Sequence, residues 1–414
     1  MAQSNAFNNT AKITKQAMNV LRNNLVLVPR VNRTYEKEFS QGNGKIGDTV
    51  SIRIPGYGTV RRGKVASPAG YNESYVPLTV AQIGADLRFS SKELLLNVED
   101  PPEFERSVLG PQMATLINQV EADGFALSNQ FSGFTGTPGT KPTDLSAFLD
   151  AYAQLAEFAC PLDDEIYAYL APRSQSSMVN GLKGLFQDGN EISKQYKKGV
   201  MGTAAGMNFM TSQNTIIQTT GTYSGASVAM NGSTAEGAST LAINTWGGAT
   251  DTLNKGDIIS IAGVYAVNPV SKLSTGQLMQ FVVTATTSAS ANAMAALPVS
   301  PSLYTQASGA KQNITALPLT TAAVSVYGVT TSGTYATKTS PINFVAHRDA
   351  LAFAAVDMPL LDPSCQTRVR DSQLGLSVRL TKWLDGVNDD LLFRLDLMVG
   401  WAQLRDKFGC RVQG

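Results

Sequence analysis

The chain has 414 residues, of which 43% are hydrophobic, so it can form about two or three domains around a sizeable core, and wholesale disorder is excluded. Its formal net charge of +1 argues against a dedicated nucleic-acid binder, because such proteins usually carry a basic excess. Three widely spaced cysteines, no evident signal peptide and no apolar run of about 20 residues lead us to expect a protein that is made and folded in the cytosol.

The N-terminal part predicts a short helix followed by a long β-hairpin. Apolar residues at helical spacing predict an amphipathic helix over residues 10–24. Alternation of Val50, Ile52 and Ile54 with polar residues predicts the first strand of a hairpin over 48–90, with SYVPLTVAQIGADLRF as the return strand. Because a long two-stranded hairpin is poorly stable alone, we expect it to lie on another surface, which could belong to another chain.

Residues 102–130 predict one long helix. The apolar residues at helical spacing form one stripe, made of Leu109, Met113, Leu116, Ile117, Val120 and Leu127. Pro101-Pro102 suits the start of this helix. Gly110 and Pro111 are expected to kink it or delay its start, and we predict a hinge there.

The middle of the chain changes composition sharply. Residues 140–200 predict a helix (LSAFLDAYAQLAEF), a strand (EIYAYLAP) and a second short helix (SMVNGLKGLFQD). Only 7 of the 122 residues in 219–340 are charged, and short strands recur there, such as STLAIN, DIISIAGVYAV, LMQFVVTAT and AVSVYG. We therefore predict that 219–340 is a separate β-barrel or sandwich inserted into a host domain.

The C-terminal part predicts a return to the host domain. INFVAHRDALAFAAVDMPL is typical of a strand that runs into a short helix. QLGLSVRLTKWLDG and DLLFRLDLMVGWAQL predict two strands joined through Asp385-Gly386.

Charge is segregated along the chain. Residues 1–64 carry a net charge of +8, whereas residues 86–165 carry −10. This pattern fits an intrachain match or solvated faces, and it equally fits complementary surfaces on neighbouring copies. We take the basic residues of the hairpin as candidate contacts between subunits, namely Arg53, Arg61, Arg62 and Lys64.

The sequence offers few groups for catalysis. His347 is the single histidine, so paired-histidine zinc motifs are excluded. Cys160 or Cys365 could form a thiol–imidazole pair with His347, but no local motif supports it.

Two groups of carboxylates are candidates for the pair of acids that a glycosidase needs. Asp163-Asp164-Glu165 and Asp389-Asp390 have turn-like surroundings, where acidic residues commonly serve solvation and capping. A structural ion at 385–390 is an alternative to a simple turn. We expect no catalytic residue, no cofactor and no bound metal.

Three stretches together resemble the coat proteins of short-tailed Salmonella-type phages. They are NNLVLVPRVNRTYEKEF with KIGDTVSIRIP, then KGVMGTAAGMNFMTSQN with LNKGDIISIAGVYAVNPVSK, and finally NFVAHRDALAFA with FRLDLMVGWAQLRDKFGCRV. The resemblance implies an α+β capsid subunit of the Hong Kong 97 type, without enzymatic activity. It also implies the domain order: an N-terminal arm (1–43), an extended β-hairpin loop (44–96), a peripheral domain with a spine helix (97–139), an axial domain (140–218), an inserted β-barrel (219–340), and a second axial part that returns to the peripheral domain (341–414).

The resemblance further implies function and partners. Such a major capsid protein assembles as hexamers and pentamers into an icosahedral shell around double-stranded phage DNA, in the cytoplasm of the bacterial host. A scaffolding protein and a portal protein are further implied partners, and no membrane is. Lys12, Lys15 and Arg22 are candidate inner-face residues that would touch DNA non-specifically, or else bind the scaffolding protein or water.

Three other functions stay open at this point. The chain could be another virion protein, of a tail or a decoration, although a pure β tail protein would lack the long helix. It could be an encapsulin-like shell that holds protein cargo. A hydrolase is disfavoured because no acid–base, nucleophile or metal constellation is evident.

Overall fold

The computed structural model describes residues 25–36, 39, 47–58, 63–65, 73–90, 92, 110–181, 202–224, 228–248, 250–327, 334–335, 337–370 and 375–413. The helix predicted over 10–24 lies outside these residues. The described residues divide into two compact units. The first draws on Met1–Ile52, Val76–Gly124 and Leu351–Ala402, and the second on Arg53–Tyr75, Phe125–Ala350 and Gln403–Gly414.

Strands far outnumber helices in the described part of the chain. The α-helices are α1 (Gly110–Ala126), α2 (Ser146–Glu157) and α3 (Pro172–Gly181). The first strands are β1 (Thr49–Ile54), β2 (Ser74–Thr79), β3 (Ala81–Ser90), β4 (Gly133–Thr135), β5 (Ile166–Leu170), β6 (Thr203–Ala204), β7 (Met207–Thr211) and β8 (Ile217–Thr219). Next come β9 (Tyr223–Ser224), β10 (Ala229–Met230), β11 (Thr240–Asn244), β12 (Thr252–Leu253), β13 (Ile258–Val267), β14 (Ser274–Val283), β15 (Thr287–Ser288), β16 (Met294–Ser300) and β17 (Val324–Val326). The last are β18 (Thr334–Tyr335), β19 (Thr339–Pro341), β20 (Asn343–His347), β21 (Leu351–Val356), β22 (Gln366–Arg370), β23 (Ser377–Asp385), β24 (Asp390–Gln403) and β25 (Gly409–Val412).

Helix α1 carries the predicted apolar stripe. The stripe residues that α1 contains are all buried, namely Met113, Leu116, Ile117 and Val120. The predicted helix ends earlier than expected, because a 3-10 turn over Leu127–Gln130 follows α1. Glu121 interrupts the stripe, and its carboxylate accepts the backbone N–H of Leu27 at 2.7 Å. This bond satisfies the buried acid and ties the segment before residue 30 to α1.

The first unit contains a five-stranded sheet built on the long strand β24. The order is β21-β24-β23-β22, and β3 also pairs with β24. Strand β3 runs antiparallel to β24 over ten residue pairs, from Ser90 opposite Asp390 to Ala81 opposite Val399. The two strands predicted around Asp385-Gly386 are thereby confirmed as β23 and β24.

The predicted hairpin is shorter than its sequence pattern suggests. Strands β1 and β2 form a two-stranded sheet, but the return strand is interrupted at Val80, whose N–H donates to Asp48 O at 2.8 Å. Beyond Val80, β3 leaves β1 and pairs with β24 instead. In a two-stranded ribbon, one edge of β3 would have no backbone partners. Pairing with β24 gives the backbone of β3 such partners over the whole length of β3.

The helix predicted after His347 is wrong. Only a 3-10 turn over Arg348–Ala350 is present, and Leu351–Val356 forms strand β21 against β24. The side chains of 351–354 are at most 1% exposed, so both faces of this strand are covered. A segment buried on both faces shows no alternation, and its periodicity cannot separate strand from helix.

The second unit contains a mixed six-stranded sheet in the order β4-β25-β20-β5-β7-β6, hereafter the host sheet. Strands β4 and β25 are parallel, as are β5 and β7. Helix α2 confirms the helix predicted from LSAFLDAYAQLAEF, and it buries Phe148, Ala151 and Leu155. Strand β5 confirms the one predicted from EIYAYLAP. The second short helix starts earlier than predicted, as α3, and the predicted residues beyond 181 lie outside the described residues.

The low-charge segment forms a closed barrel. Its strands follow the order β10-β11-β16-β14-β13-β17. A bridge between Ala229 and Ala323, with flanking backbone hydrogen bonds of 2.9 Å, joins the first strand to the last. Trp246, Phe281 and Leu297 are buried inside. The predicted barrel is therefore present, and its closure removes the free strand edges of a sandwich.

The barrel is inserted between two paired strands. Strand β8 before it is antiparallel to β19 after it, with Thr219 opposite Thr339. The chain thus enters and leaves the inserted segment side by side. The α+β class with an inserted all-β barrel, as predicted, is confirmed. No helix among the described residues is long and apolar enough to cross a membrane.

Candidate functional site

The hairpin places Arg53 on its surface. The Arg53 guanidinium forms an ion pair with Glu73 across the hairpin, and 63% of the Arg53 side chain stays exposed. Near the end of β1, the Tyr57 hydroxyl accepts a hydrogen bond from the Arg405 guanidinium at 3.0 Å. The charge of Arg53 is therefore balanced within its own chain. If Arg53 contacts another subunit, it does so as part of the ion pair with Glu73.

The other candidate contacts are only partly described. Lys64 is exposed, as expected for a contact residue. The remaining basic candidates lie outside the described residues, namely Arg61, Arg62, Lys12, Lys15 and Arg22. Of the predicted hinge, Gly110 is the first residue of α1, and Pro111 is exposed in its first turn.

His347 stands in a cluster of charged groups within the second unit. Its Nδ1 accepts the backbone N–H of Asp349 at 3.1 Å, so the ring proton is on Nε2, which faces Asp163 at 3.2 Å. Glu165 lies near enough to join a three-ligand metal group, but its carboxylate accepts a hydrogen bond from Arg348 at 2.7 Å. Both ring nitrogens of His347 are thus engaged, and this arrangement is that of a satisfied core histidine.

The cysteines and acidic turns take structural positions. Burial, reinforced by the negative charge of Asp163, raises the pKa of the Cys160 thiol to about 12, so this thiol is protonated at neutral pH and a poor nucleophile. Cys365 is exposed in a turn beside Ser364. Asp385 accepts hydrogen bonds from two later residues of its own turn, which makes it a turn former.

A polar network joins the barrel to the host sheet. Arg411 of β25 is fully buried and donates to Gly256 O at 2.7 Å and to the Gln218 amide oxygen at 3.3 Å. Asp257, also buried, accepts the N–H of Gly221 at 2.9 Å and a bond from the Gln218 amide at 3.2 Å. Burial raises the pKa of Asp257, and these hydrogen bonds and the Arg411 charge oppose that rise.

The other acids of the barrel segment are likewise structural acceptors. Glu236 accepts the N–H of Thr305 at 2.7 Å and the hydroxyl of Ser308 at 2.6 Å. Asp251 accepts the N–H of Gly248 at 3.0 Å. The few carboxylates that 219–340 retains therefore anchor loops. Sequence reasoning missed these roles, and the scarcity of charge in this segment was the available signal.

A second buried carboxylate holds the sheet of the first unit. Asp396 of β24 is fully buried and accepts three hydrogen bonds: from Gln82 at 2.8 Å, from Arg379 at 2.9 Å and from Arg394 at 2.8 Å. The donors come from β3, β23 and β24. Because a shift of β3 by one residue would turn Gln82 to the face of the sheet opposite Asp396, the bond between these two side chains helps to fix the register of β3.

Comparison with known proteins places the chain in a family. A family model described as "P22 coat protein - gene protein 5" matches residues 109–414. A search of curated protein sequences gives no significant match.

Several solved structures are similar to the chain. A chain from Mycobacterium phage Che8 has 10% identity and a TM-score of 0.48, over 93% of this chain and 90% of that one. A chain from the capsid structure of the cyanophage P-SCSP1u has 10% identity and a TM-score of 0.41, over 89% and 83%. The CUS-3 coat protein I-domain has 24% identity and a TM-score of 0.20, over 26% of this chain and 99% of that one.

The family model covers well over half of the sequence, from the start of α1 through the barrel and the host sheet to the C-terminal strand. The chain belongs to the P22 coat protein family of phage capsid shell proteins.

Proposed function

We propose that this coat protein assembles as hexamers and pentamers into an icosahedral shell around double-stranded phage DNA, inside the bacterial host. The observation that carries the proposal is the family match over residues 109–414. The matched family consists of coat proteins, which argues against a tail or decoration protein. The proposed function is binding between copies of the chain, with no catalytic step.

The hairpin supports this mode of function. Among the described residues, strands β1 and β2 pair only with each other, and a two-stranded ribbon contributes little stability of its own in water. Tyr75 of β2 is 62% exposed, which leaves apolar surface on the ribbon. A neighbouring copy that covers this surface would stabilise the arm, so ordering of the arm and assembly are coupled. Each contact can be weak, since a closed shell multiplies them.

We propose that the hairpin contacts neighbouring subunits through Arg53, Arg61, Arg62 and Lys64. The exposure of Lys64 and the partial exposure of Arg53 support this placement. A variant with Arg61→Glu, Arg62→Glu and Lys64→Glu should lower the yield of shells. Lys255→Glu is the matched control, because Lys255 is an exposed lysine outside the hairpin.

The scaffolding protein, the portal protein and DNA are proposed partners. Lys12, Lys15 and Arg22 are the proposed inner-face residues, and their contacts with phosphate would be non-specific and salt-dependent. The domain boundaries given above also stay a proposal. Pairing of β8 with β19 at Thr219 and Thr339 supports the limits of the insertion at 219 and 340.

Electron microscopy of the purified chain, expressed alone and pelleted through a sucrose cushion, tests the proposal. We expect closed shells, tubes or spirals built of six-fold rings. Closed particles that contain protein rather than DNA after expression in infected cells would support an encapsulin-like shell instead. If no particles form even after addition of phage-infected lysate, the proposal is wrong.

A further inference from the structure

Strand β4 lies at the edge of the host sheet. On one side it pairs with β25, with Phe134 opposite Arg411. The backbone N–H and C=O of Phe134 point away from β25, towards the other edge of β4. A strand edge that lacks hydrogen-bond partners for its backbone is a template for pairing with another chain.

A side chain of the barrel occupies this edge. The Gln280 Oε1 accepts the N–H of Phe134 at 2.8 Å, and the Gln280 Nε2 donates to the C=O of Phe134 at 2.8 Å. Gln280 belongs to β14 of the barrel and is only 8% exposed. The side-chain amide therefore presents to Phe134 the donor and acceptor that the backbone of a neighbouring strand would present.

The remaining hydrogen-bonding capacity of the Gln280 amide is also used. Its Oε1 accepts a second bond from the Gln154 Nε2 of α2 at 2.8 Å, and its Nε2 donates to the Tyr327 hydroxyl at 3.0 Å. Gln154 in turn accepts the Cys410 thiol at 2.9 Å. The amide thus connects a host helix, a host strand and the barrel, and every one of its polar atoms is satisfied.

We propose that Gln280 acts as a substitute strand, which positions the barrel on the host sheet and closes the edge of β4 to a second copy of this chain. A protein that is present at high concentration needs such protection, since pairing of exposed edges leads to irregular aggregates. The occupant that Gln280 excludes is β4 of another copy, because two identical edges can pair symmetrically. This inference concerns the free subunit and does not depend on shell formation.

Hydrogen–deuterium exchange of the free subunit tests the cap directly. Gln280→Leu keeps the size of the side chain but removes both hydrogen bonds to Phe134. We expect exchange of the Phe134 amide to become faster by about tenfold, as loss of one backbone hydrogen bond implies. Amides bonded within the barrel, such as Ala262, whose N–H donates to the carbonyl oxygen of Ala323 at 2.9 Å, should keep their exchange rates.

A second variant separates the two bonds. Gln280→Glu keeps an acceptor for the Phe134 N–H but removes the donor to the Phe134 C=O. We expect slow exchange at Phe134 in this variant, together with the self-association described next. The control is Gln277→Leu, the same substitution at an exposed glutamine on the same strand, which should resemble wild type.

Size-exclusion chromatography with light scattering of the same variants tests the protective role. We expect Gln280→Leu and Gln280→Glu to form soluble oligomers at concentrations where wild type and Gln277→Leu are monomeric. If the Phe134 amide of the Gln280→Leu variant exchanges at the wild-type rate, Gln280 does not cap the edge of β4. Faster exchange without any self-association would overturn the protection against a second copy.

Discussion

Buried charged side chains in this protein form hydrogen bonds that join segments distant in sequence. Asp396 and its donor Gln82 are 314 residues apart, and Arg411 and Gln218 are 193 apart. Each of these charged groups is buried together with several hydrogen-bond partners from distant parts of the chain, and such partners offset part of the cost of burying the charge. These residues therefore report whether the strands around them are correctly placed.

Replacing Asp396 should destabilise the sheet in a pH-dependent way. Burial by itself raises the pKa of the Asp396 carboxyl, but hydrogen bonds from Arg379, Arg394 and Gln82 outweigh it, so the pKa is lowered in the folded state. Above about pH 5 the carboxylate is charged in both states and its contribution is complete; as the pH falls through about 4 and on towards the lowered pKa, the contribution is lost. We expect Asp396→Asn to lower the free energy of unfolding by about 3 kcal/mol at pH 7.

Urea unfolding at several pH values checks this expectation. The difference between wild type and Asp396→Asn should narrow as the pH is lowered below about 4. Asp389→Asn, in the exposed turn before β24, is the control and should change stability by less than about 0.5 kcal/mol. A difference that does not vary with pH would argue against the ionised carboxylate as the source of stability.

Gly84 should not tolerate a side chain. A Cβ at this position of β3 would lie 2.8 Å from the Asp396 Oδ1 and 3.0 Å from the Leu395 carbonyl oxygen. Relief of this clash requires movement of β3 away from β24. We expect Gly84→Ala to cost about 1–3 kcal/mol, measured by thermal unfolding. An unchanged melting temperature would show that β3 can shift without loss.

The sequence could identify few of these residues. Lys64 and Arg53 are basic residues in a polar hairpin, so their exposure was predictable. Gln280, Arg411 and Asp396 gave no local signal, because each acquires its role from partners that only the fold brings near. The role of Glu121 was also missed, although an acid within an apolar helical stripe indicates a buried partner.

Helix α1 packs against strand β24 at a glycine. A Cβ on Gly124 would lie 2.7 Å from the Trp401 ring and 2.8 Å from the Leu27 side chain. The indole N–H of Trp401 donates to the carbonyl oxygen of Val120 at 3.0 Å, one turn before Gly124. The close approach of helix and strand therefore depends on the missing side chain.

Gly124→Ala should lower stability although alanine favours helix. Helix propensity alone would give a gain of about 1 kcal/mol, but the clash with Trp401 should exceed it and leave a net loss of about 1–2 kcal/mol. Thr115→Ala on the exposed face of α1 is the control, and it should be neutral or slightly stabilising. Chemical denaturation measures both. A stabilised Gly124→Ala would mean that Trp401 can move aside.

The hinge at Gly110 and Pro111 stays a prediction at the start of α1. Proline in a first helical turn is compatible with the helix, and Gly110 before it has wide conformational freedom. If bending occurs here, Gly110→Ala should alter the sizes of the shells formed, as seen by electron microscopy. Unchanged shell size and unchanged maturation would show that the hinge is elsewhere.

At the scale of elements, the patterns that sequence reasoning handled well were amphipathic ones. Helices α1 and α2 and the barrel strand β11 bury one face and leave the other more exposed, so their periodicity was readable. The structures of two other elements could not be predicted from their sequence patterns. Strand β21 is buried on both faces, and β3 left the predicted hairpin because its partner β24 lies about 300 residues later in the sequence.

At the scale of the molecule, the opposite charges of residues 1–64 and 86–165 bear on assembly. The described ion pairs of Arg53 and Glu165 are made with Glu73 and Arg348, outside both segments. If the segments attract each other between copies, assembly should slow as salt rises from about 0.05 M to 0.5 M, because the Debye length falls below about 10 Å. Light scattering measures the rate. A rate that rises with salt would indicate that apolar contacts dominate.

The coat-protein function was predicted from short stretches that resemble one family, and the family match confirms this assignment. The unaided patterns gave a long helix, a ribbon of two strands and an inserted β-domain, but they did not give a shell. Shell formation is a property of many copies, and a single sequence shows it only through surfaces whose partner is another copy.

Because β8 and β19 are paired, the barrel between them could be replaced by another segment. Thr219 and Thr339 lie opposite each other, about 5 Å apart, so a short turn or a foreign domain with adjacent termini could be spliced between them. Such a graft would keep β8 and β19 paired, yet it would strip Phe134 of the Gln280 amide. A designed coat protein that displays a new domain at this joint must therefore supply its own cover for β4, or its subunits will adhere through that strand before they build a shell.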